Sequence, residues 1–251
     1  MTVGRPLLIA VGLILIWQLF VSLTGVEHFI LPSPARVASA LSDRFNLILE
    51  HAWITLGEIL LGLILGTLLG TISALFMGYF RTARQWLMPV LVISQAVPVF
   101  ALAPILVLWL GYGIGSKVAM ATLIIYFPVT AAFFDGLRRT ELGHLELAQT
   151  MGASRWAILR YIRLPAALPS FASGMRVATA VAPIGAIVGE WVGSSGGLGY
   201  LMLHANGRLQ IDVMFAALFV LAVMAVFIYF SMDALLRRMV QWQPETHPDT
   251  D

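Results

Sequence analysis

"LELAQTMGASRWAILRYIRLP", residues 145–165, carries three arginines, has an amphipathic pattern and closes on a proline. It interrupts a chain of 251 residues that is otherwise dominated by long apolar runs. What the insert can do depends on what those runs are.

The chain is 59% hydrophobic and only 11% charged, with a mean hydropathy of +0.89. A soluble domain has about 25% charged residues, so this chain could not cover a water-facing surface. Its apolar runs reach the ~20 residues that cross a bilayer core of about 30 Å as helix. The short alternating segments of a membrane β-barrel are not visible. The fold class expected is all-α, a polytopic membrane protein, read as one transmembrane domain over residues 1–240 with its core at about 50–238. The polar tail over residues 241–251, "QPETHPDTD" at its end, reads as disordered.

Six spans are expected, at about Leu7–Leu23, Ile54–Tyr79, Leu87–Leu110, Val118–Phe134, Phe171–Val192 and Val213–Leu235. The first could pass for a signal peptide, but no clear small-x-small cleavage site follows it, and it is read as a retained span. The second carries Gly62, Gly66 and Gly70, a small-xxx-small stripe that permits close helix packing. Prolines 89, 98, 104, 128 and 183 fall within spans three to five. Each leaves a carbonyl without its helical donor, and in lipid that carbonyl needs a protein or water partner; such a concentration points to helices lining a pathway.

The basic residues sit at the ends of the apolar runs, which is what topology demands of a membrane protein and not the footprint of nucleic-acid binding. Arg5, Arg81, Arg84, Arg138, Arg139, Arg155, Arg160, Arg163, Arg176, Arg237 and Arg238 fall on one side of the predicted spans, and Arg36, Arg44, Lys117 and Arg208 on the other. The eleven-to-four split places both termini in the cytoplasm.

The insert therefore stands at the cytoplasmic surface between spans four and five. Residues 141–151 form a short helix with Leu142, Leu145, Ala148 and Met151 near one face. Gly152 supplies the left-handed turn that ends a helix. Ser154 caps a second helix bearing Trp156, Leu159 and Ile162 on one side, whose continuation Pro165 and Pro169 limit. Two readings follow: an amphipathic hairpin anchored at the interface, or a docking element for a cytoplasmic partner.

Glu146-Leu147-Ala148, three residues, Gly152, nine residues, then Ile162-Arg163-Leu164-Pro165 resembles the "EAA" signature of bacterial ABC-importer permeases, with Leu147 where alanine is usual. "LPSPARVASAL" (31–41), "QAVPVFALAPILVLWLGYG" (95–113) and "GEWVGSSGGLGYLM" (189–202) are similar to the binding-protein-dependent permeases for sulfonate, taurine, nitrate and thiamine-pyrimidine precursors. The resemblance covers nearly the whole chain. It implies a type I importer permease fold in the bacterial inner membrane, assembled as a homodimer. A cytoplasmic ATPase dimer would bind the coupling helix of each subunit, and an extracytoplasmic solute-binding protein would deliver a small-molecule substrate. The ATPase-coupling residues would be Glu146, Ala148, Gly152, Ile162, Leu164 and Pro165. Residues 189–218 resemble most the members for hydroxymethylpyrimidine-type thiamine precursors, with taurine, alkanesulfonate, nitrate and riboflavin as alternatives.

"GYGIGSKV" (111–118) lacks the G-K-[ST] ending of a phosphate loop, so ATP hydrolysis is expected on a separate subunit and the chain is not read as an enzyme. No cofactor is expected. The histidines at 28, 51, 144, 204 and 247 show no H-x-x-x-H pairing, and no metal site is expected. "GSSGGLGY" (193–200) reads as a turn or an external gate element. Asp135 is expected to pair with Arg138 and Arg139 at the interface. The pathway and gate candidates are Gln95, Val99 and Phe100 of span three, Tyr126 of span four, and Pro183 and Glu190 of span five. A stand-alone secondary transporter or channel is the rival of another class. Ion-coupled carriers need buried charge near the midplane, and the chain is read as holding almost none.

Overall fold

The computed structural model describes residues 4–242; residues 243–251, most of the polar tail, lie outside them. Every regular element among the described residues is helical, and none of them is a strand. In order they form α1 (Gly4–Thr24), α2 (Pro34–Asp43), α3 (Phe45–Tyr79), α4 (Arg81–Ala96), α5 (Val99–Leu110), α6 (Ile114–Arg138), α7 (Leu142–Thr150), α8 (Arg155–Ile158), a π-helical turn (Leu159–Arg163), α9 (Leu164–Gly193), α10 (Leu198–Gly207) and α11 (Ile211–Met239).

The core is a three-helix contact among α3, α6 and α9. A Cβ added at Gly62 would lie 2.5 Å from the Ala121 Cβ, and one at Gly66 2.6 Å from Ile125 Cγ2. At Gly70 it would meet Val129 and Thr130 at 3.1 Å. The small stripe of α3 thus steps by four residues in register with Ala121, Ile125 and Val129 of α6, so these two helices run parallel. From the other side Gly185 of α9 brings its own backbone against Ala121, with 2.7 Å from a Cβ there to Ala121 Cα. Gly189 meets Lys117 and Gly174 meets Pro128, which makes α9 antiparallel to both. Without side chains at these points the backbones approach closely, and packing replaces the hydrophobic drive that lipid does not supply. Ile59, Leu63, Ile125, Val129 and Ala182 fill the seam.

Among the described residues, four helices are long and apolar enough to cross a membrane: α3, α6, the continuous stretch Arg155–Gly193, and α11. A fifth is counted if α4 and α5 form one span. The single third span expected over 87–110 is instead two helices bent by 103°. Pro98 is the cause: its ring forces the preceding residue out of the helical region, and Val97 is extended at φ −84°, ψ 121°. Pro89 and Pro104 stay within helices. The first expected span is α1, whose apolar part Val11–Thr24 is shorter than the other four. The second starts earlier than expected because Ile48 and Ala52, both buried, pack against α2 and α10.

The prolines expected to limit the second insert helix do not end it. Pro165 lies in the first turn of α9, where a missing N–H is least costly, directly after the wide π-helical turn at 159–163. The insert therefore runs unbroken into span five.

The close approach at Gly66 makes a direct prediction. Gly66→Leu should lower the unfolding free energy in mixed detergent micelles by about 1–3 kcal/mol, the usual cost of overpacking. Gly57→Ala, a position with open space, should stay within about 0.5 kcal/mol.

Candidate functional site

Two features stand out from the helical frame. The first is the insert, which folds as a helical hairpin with a small core of its own. Its helix α7 ends in a left-handed Gly152 at φ +77°. The Ala153 N–H donates to the Ala148 carbonyl and the Gly152 N–H to that of Gln149, both at 2.9 Å, the paired bonds of a Schellman cap. Two residues on, the Ser154 hydroxyl accepts from the Ala157 N–H at 3.2 Å and opens α8. Between the two helices Leu145, Ala148 and Ile158 form a small core with Ala153 and Ile162 against it.

The expected one-face stripe divides. Leu145 and Ala148 are buried, while Leu142 and Met151 point outward and are 72% and 78% exposed. Leu147, the departure from the family signature, is also exposed, so the extra carbons meet no neighbour they must displace. Of the coupling candidates, Glu146 and Gly152 are exposed, Ala148 is buried, and Ile162, Leu164 and Pro165 are half-buried. The hairpin thus presents an apolar, glutamate-bearing face with nothing packed on it among the described residues. Asp135 makes no ion pair with Arg138 or Arg139 in the described structure. It is exposed, and Arg138 instead lies 5.6 Å over the Phe134 ring.

The second feature is a buried polar cluster at the opposite end of α9. Helix α10 is ten residues long, and its first N–H groups have no intrahelical partners. Side chains from two other helices take all four. Gly197 N–H donates to His51 Nδ1 at 2.9 Å, and Leu198 N–H to Thr55 Oγ1 at 2.7 Å. Gly199 N–H and Tyr200 N–H both donate to Glu190 Oε2, at 2.5 and 3.2 Å. Thr55 in turn donates to Glu190 Oε1 at 2.6 Å. A carboxylate at a helix N-terminus also meets the positive end of the helix dipole. Gly197, at φ +108°, must be glycine, since a Cβ would run into the Glu190 carboxylate.

Beside Glu190 lies Glu58, fully buried, with its Oε1 2.6 Å from Lys117 Nζ. Its Oε2 is buried without a hydrogen-bond partner. The chain therefore buries an acid and a base between its helices, at the first turn of α6 and away from the midplane, where almost no charge is expected. Lys117, expected as a loop residue, is 6% exposed. Sequence reasoning missed His51, Thr55 and Lys117 as parts of this cluster. The spacing of His51, Thr55 and Glu58, at i, i+4 and i+7, was the available signal: a polar stripe on an apolar helix.

The pathway candidates are dispersed. Phe100 is exposed and Val99 half-buried at the start of α5, just past the bend. Tyr126 is half-buried and donates to Ser73 Oγ at 3.0 Å. Pro183 and Glu190 are buried in α9. Gln95 lies near the end of α4, and its side chain is outside the described residues. No hydrogen bond joins any two of the described side chains in this set.

Residues 66–241 match the family model described as "Binding-protein-dependent transport system inner membrane component". The chain is 56% identical over 236 residues to a "Probable ABC transporter permease protein" of Haemophilus influenzae, covering 94% of this chain and 96% of that one. It is 36% identical to the formylaminopyrimidine transport permease protein ThiX of Halalkalibacterium halodurans, at 95% and 96% coverage. To the riboflavin transport system permease protein RibX of Chloroflexus aurantiacus it is 38% identical, at 92% and 87%. Its fold is similar to a chain of the inward-facing MetNI methionine ABC transporter, with a TM-score of 0.67 at 20% identity over 78% of this chain and 97% of that one. With its multi-pass helical frame and the family match spanning α6, the hairpin and α9, the chain belongs to the binding-protein-dependent inner-membrane permeases of ABC importers.

Proposed function

We propose that the chain forms the translocation pathway of an importer together with a second copy of itself, and that α7 is the helix through which a cytoplasmic ATPase dimer drives it. The observation that carries this reading is the hairpin: a capped helix with its own small core and an unpartnered apolar face, joined without a break to a span. Glu146, Ala148, Gly152, Ile162, Leu164 and Pro165 make the ATPase coupling element. Glu146 contacts the ATPase, Gly152 sets the turn, and Ile162, Leu164 and Pro165 carry the push into α9. ATP hydrolysis belongs to the separate ATPase subunit.

The bent pair α4–α5 supports the dimer. It exposes Phe100, Leu108 and Trp109, with Tyr112 just beyond its end at 84%, a surface suited to a second subunit. Gln95, Val99 and Phe100 at this bend, with Tyr126, Pro183 and Glu190, are the pathway and gate residues. Glu190 acts in the gate by holding α10 in place at the external end, where the solute-binding protein docks. Six spans, with α1 first and α4–α5 third, put both termini in the cytoplasm. Burial of Lys117 against Glu58 takes one cation off the external loops and sharpens the charge asymmetry. Residues 1–240 act as one membrane domain with a polar tail after it.

For the substrate, we infer a small pyrimidine of the thiamine-precursor type. Relatives named for formylaminopyrimidine and riboflavin transport stand at 36% and 38% identity, and both those substrates contain a pyrimidine ring. Relatives named for taurine and aliphatic sulfonates stand at 28% to 30%.

Three measurements test these readings. In proteoliposomes holding the permease, its ATPase and its binding protein, Glu146→Lys should cut transport-linked ATP hydrolysis by about tenfold or more, the scale of an interface hot spot. Unchanged coupling in a properly inserted variant would remove α7 from the docking role. In the same vesicles labelled hydroxymethylpyrimidine or formylaminopyrimidine should accumulate without competition from taurine; saturable taurine uptake instead would reverse the substrate assignment. Reporter fusions after Arg84, Leu168 and Arg238 should be cytoplasmic, and those near Asn46, Gly113 and Asn206 external. An external reporter at Leu168 would put the hairpin in the wrong compartment.

A further inference from the structure

A groove of about 660 Å³ opens between the last two turns of α3 and the base of the hairpin. Ile72, Phe76, Tyr79 and Phe80 line one wall, and Trp156, Arg160 and Leu164 the other. Phe76, Phe80, Tyr79 and Trp156 meet tilted or edge-to-face in sequence, with successive ring centroids 4.8, 4.8 and 6.2 Å apart. Arg160 is the one charged residue in the lining. From Ile72 to Tyr79 the wall runs about 10 Å along the helix, from the end of the span inward.

Charge here is uncompensated. Arg155, Arg160 and Arg163 lie within nine residues, and no acid occurs between Glu146 and Glu190. None of the three arginines makes an ion pair among the described residues. Arg163 Nε is buried without a hydrogen-bond partner. The groove itself offers almost no polar atoms apart from the guanidinium. An extended peptide segment laid in it would leave its own N–H and C=O groups unpaired, whereas an acyl chain has none to satisfy. An aromatic belt at the level of the span's end and a cation at the rim are the features that hold an amphiphile at a membrane interface.

We propose that this groove binds an anionic phospholipid, with the headgroup phosphate on Arg160 and an acyl chain along Ile72, Phe76 and Leu164. The bound lipid bridges α3 to the π-helical turn, and so braces the root of the hairpin against the core. Coupling of ATP hydrolysis to transport then depends on anionic lipid. Placing the groove at the cytoplasmic interface rests on the orientation proposed above, but lipid retention is measured without transport. Failure of the site and failure of the orientation are therefore separately visible.

The full chain, in its complex, is reconstituted in vesicles of phosphatidylcholine mixed with phosphatidylglycerol, extracted, and examined by native mass spectrometry. Wild type should retain phosphatidylglycerol in preference to phosphatidylcholine, and Arg160→Gln should lower that retention by about fivefold. Arg84→Gln, in a different groove, should leave it unchanged. Equal retention of the two lipids, or an equal loss with Arg84→Gln, would overturn the site. As a second readout, Phe76→p-benzoylphenylalanine should photolabel lipid; an adduct with a second copy or with the ATPase would show that protein covers the groove and would overturn it as well.

Discussion

Three backbones meet at Ala121. Gly62 of α3 and Gly185 of α9 press on it from opposite sides, and the rest of the molecule is arranged around that contact. The four-residue ladder that sets it continues one step outward, because Glu58 and Lys117 stand four residues before Gly62 and Ala121. Their 2.6 Å ion pair is thus held in the register of the glycine stripe. Gly189 leaves room for Lys117 from the third side. A shift of one helix by a single turn would uncouple the charges, and removing one partner of a buried pair costs about 3–5 kcal/mol. Packing and electrostatics therefore select the same register.

How much of this was legible follows from how local each signal is. The hairpin could be read closely, because a glycine at the left-handed position and a serine cap act within a few residues of where they stand. The stripe of α3 could be read too, but only as one surface, since nothing in the chain says which helix it faces. Pro98 breaks its span while Pro89 and Pro104 do not, and a residue count does not separate the three. Pro165 was misjudged because the π-helical turn before it has no composition of its own. Nothing near Lys117 in the sequence marks it as buried, because its partner is 59 positions away. Charges on either side of a fold are the hardest to pair from sequence, and here they were the ones that mattered.

The hairpin and the buried cluster are the two ends of one object. From Arg155 to Gly193 the chain is helical for 39 residues, about 58 Å at the usual rise. At one end lies the surface that the ATPase is proposed to grip, and near the other Glu190 holds the first turn of α10. The turn over residues 151–154 joins α7 to this stretch, and beyond Arg155 no loop intervenes before Glu190. The π-helical turn is the one irregular point along that path, and it sits at the root of the hairpin.

The ion pair between Glu58 and Lys117 has a consequence for biogenesis. The acid is synthesised 59 residues before its base, and at about 5–20 residues per second this is an interval of roughly 3–12 s. During that interval α3 carries a carboxyl with no lysine beside it, while its glycine stripe has no α6 to close on. The helix can enter the bilayer, but it cannot settle there alone. Its final depth and rotation are fixed only when the later helix arrives, so the order of synthesis is built into the order of assembly.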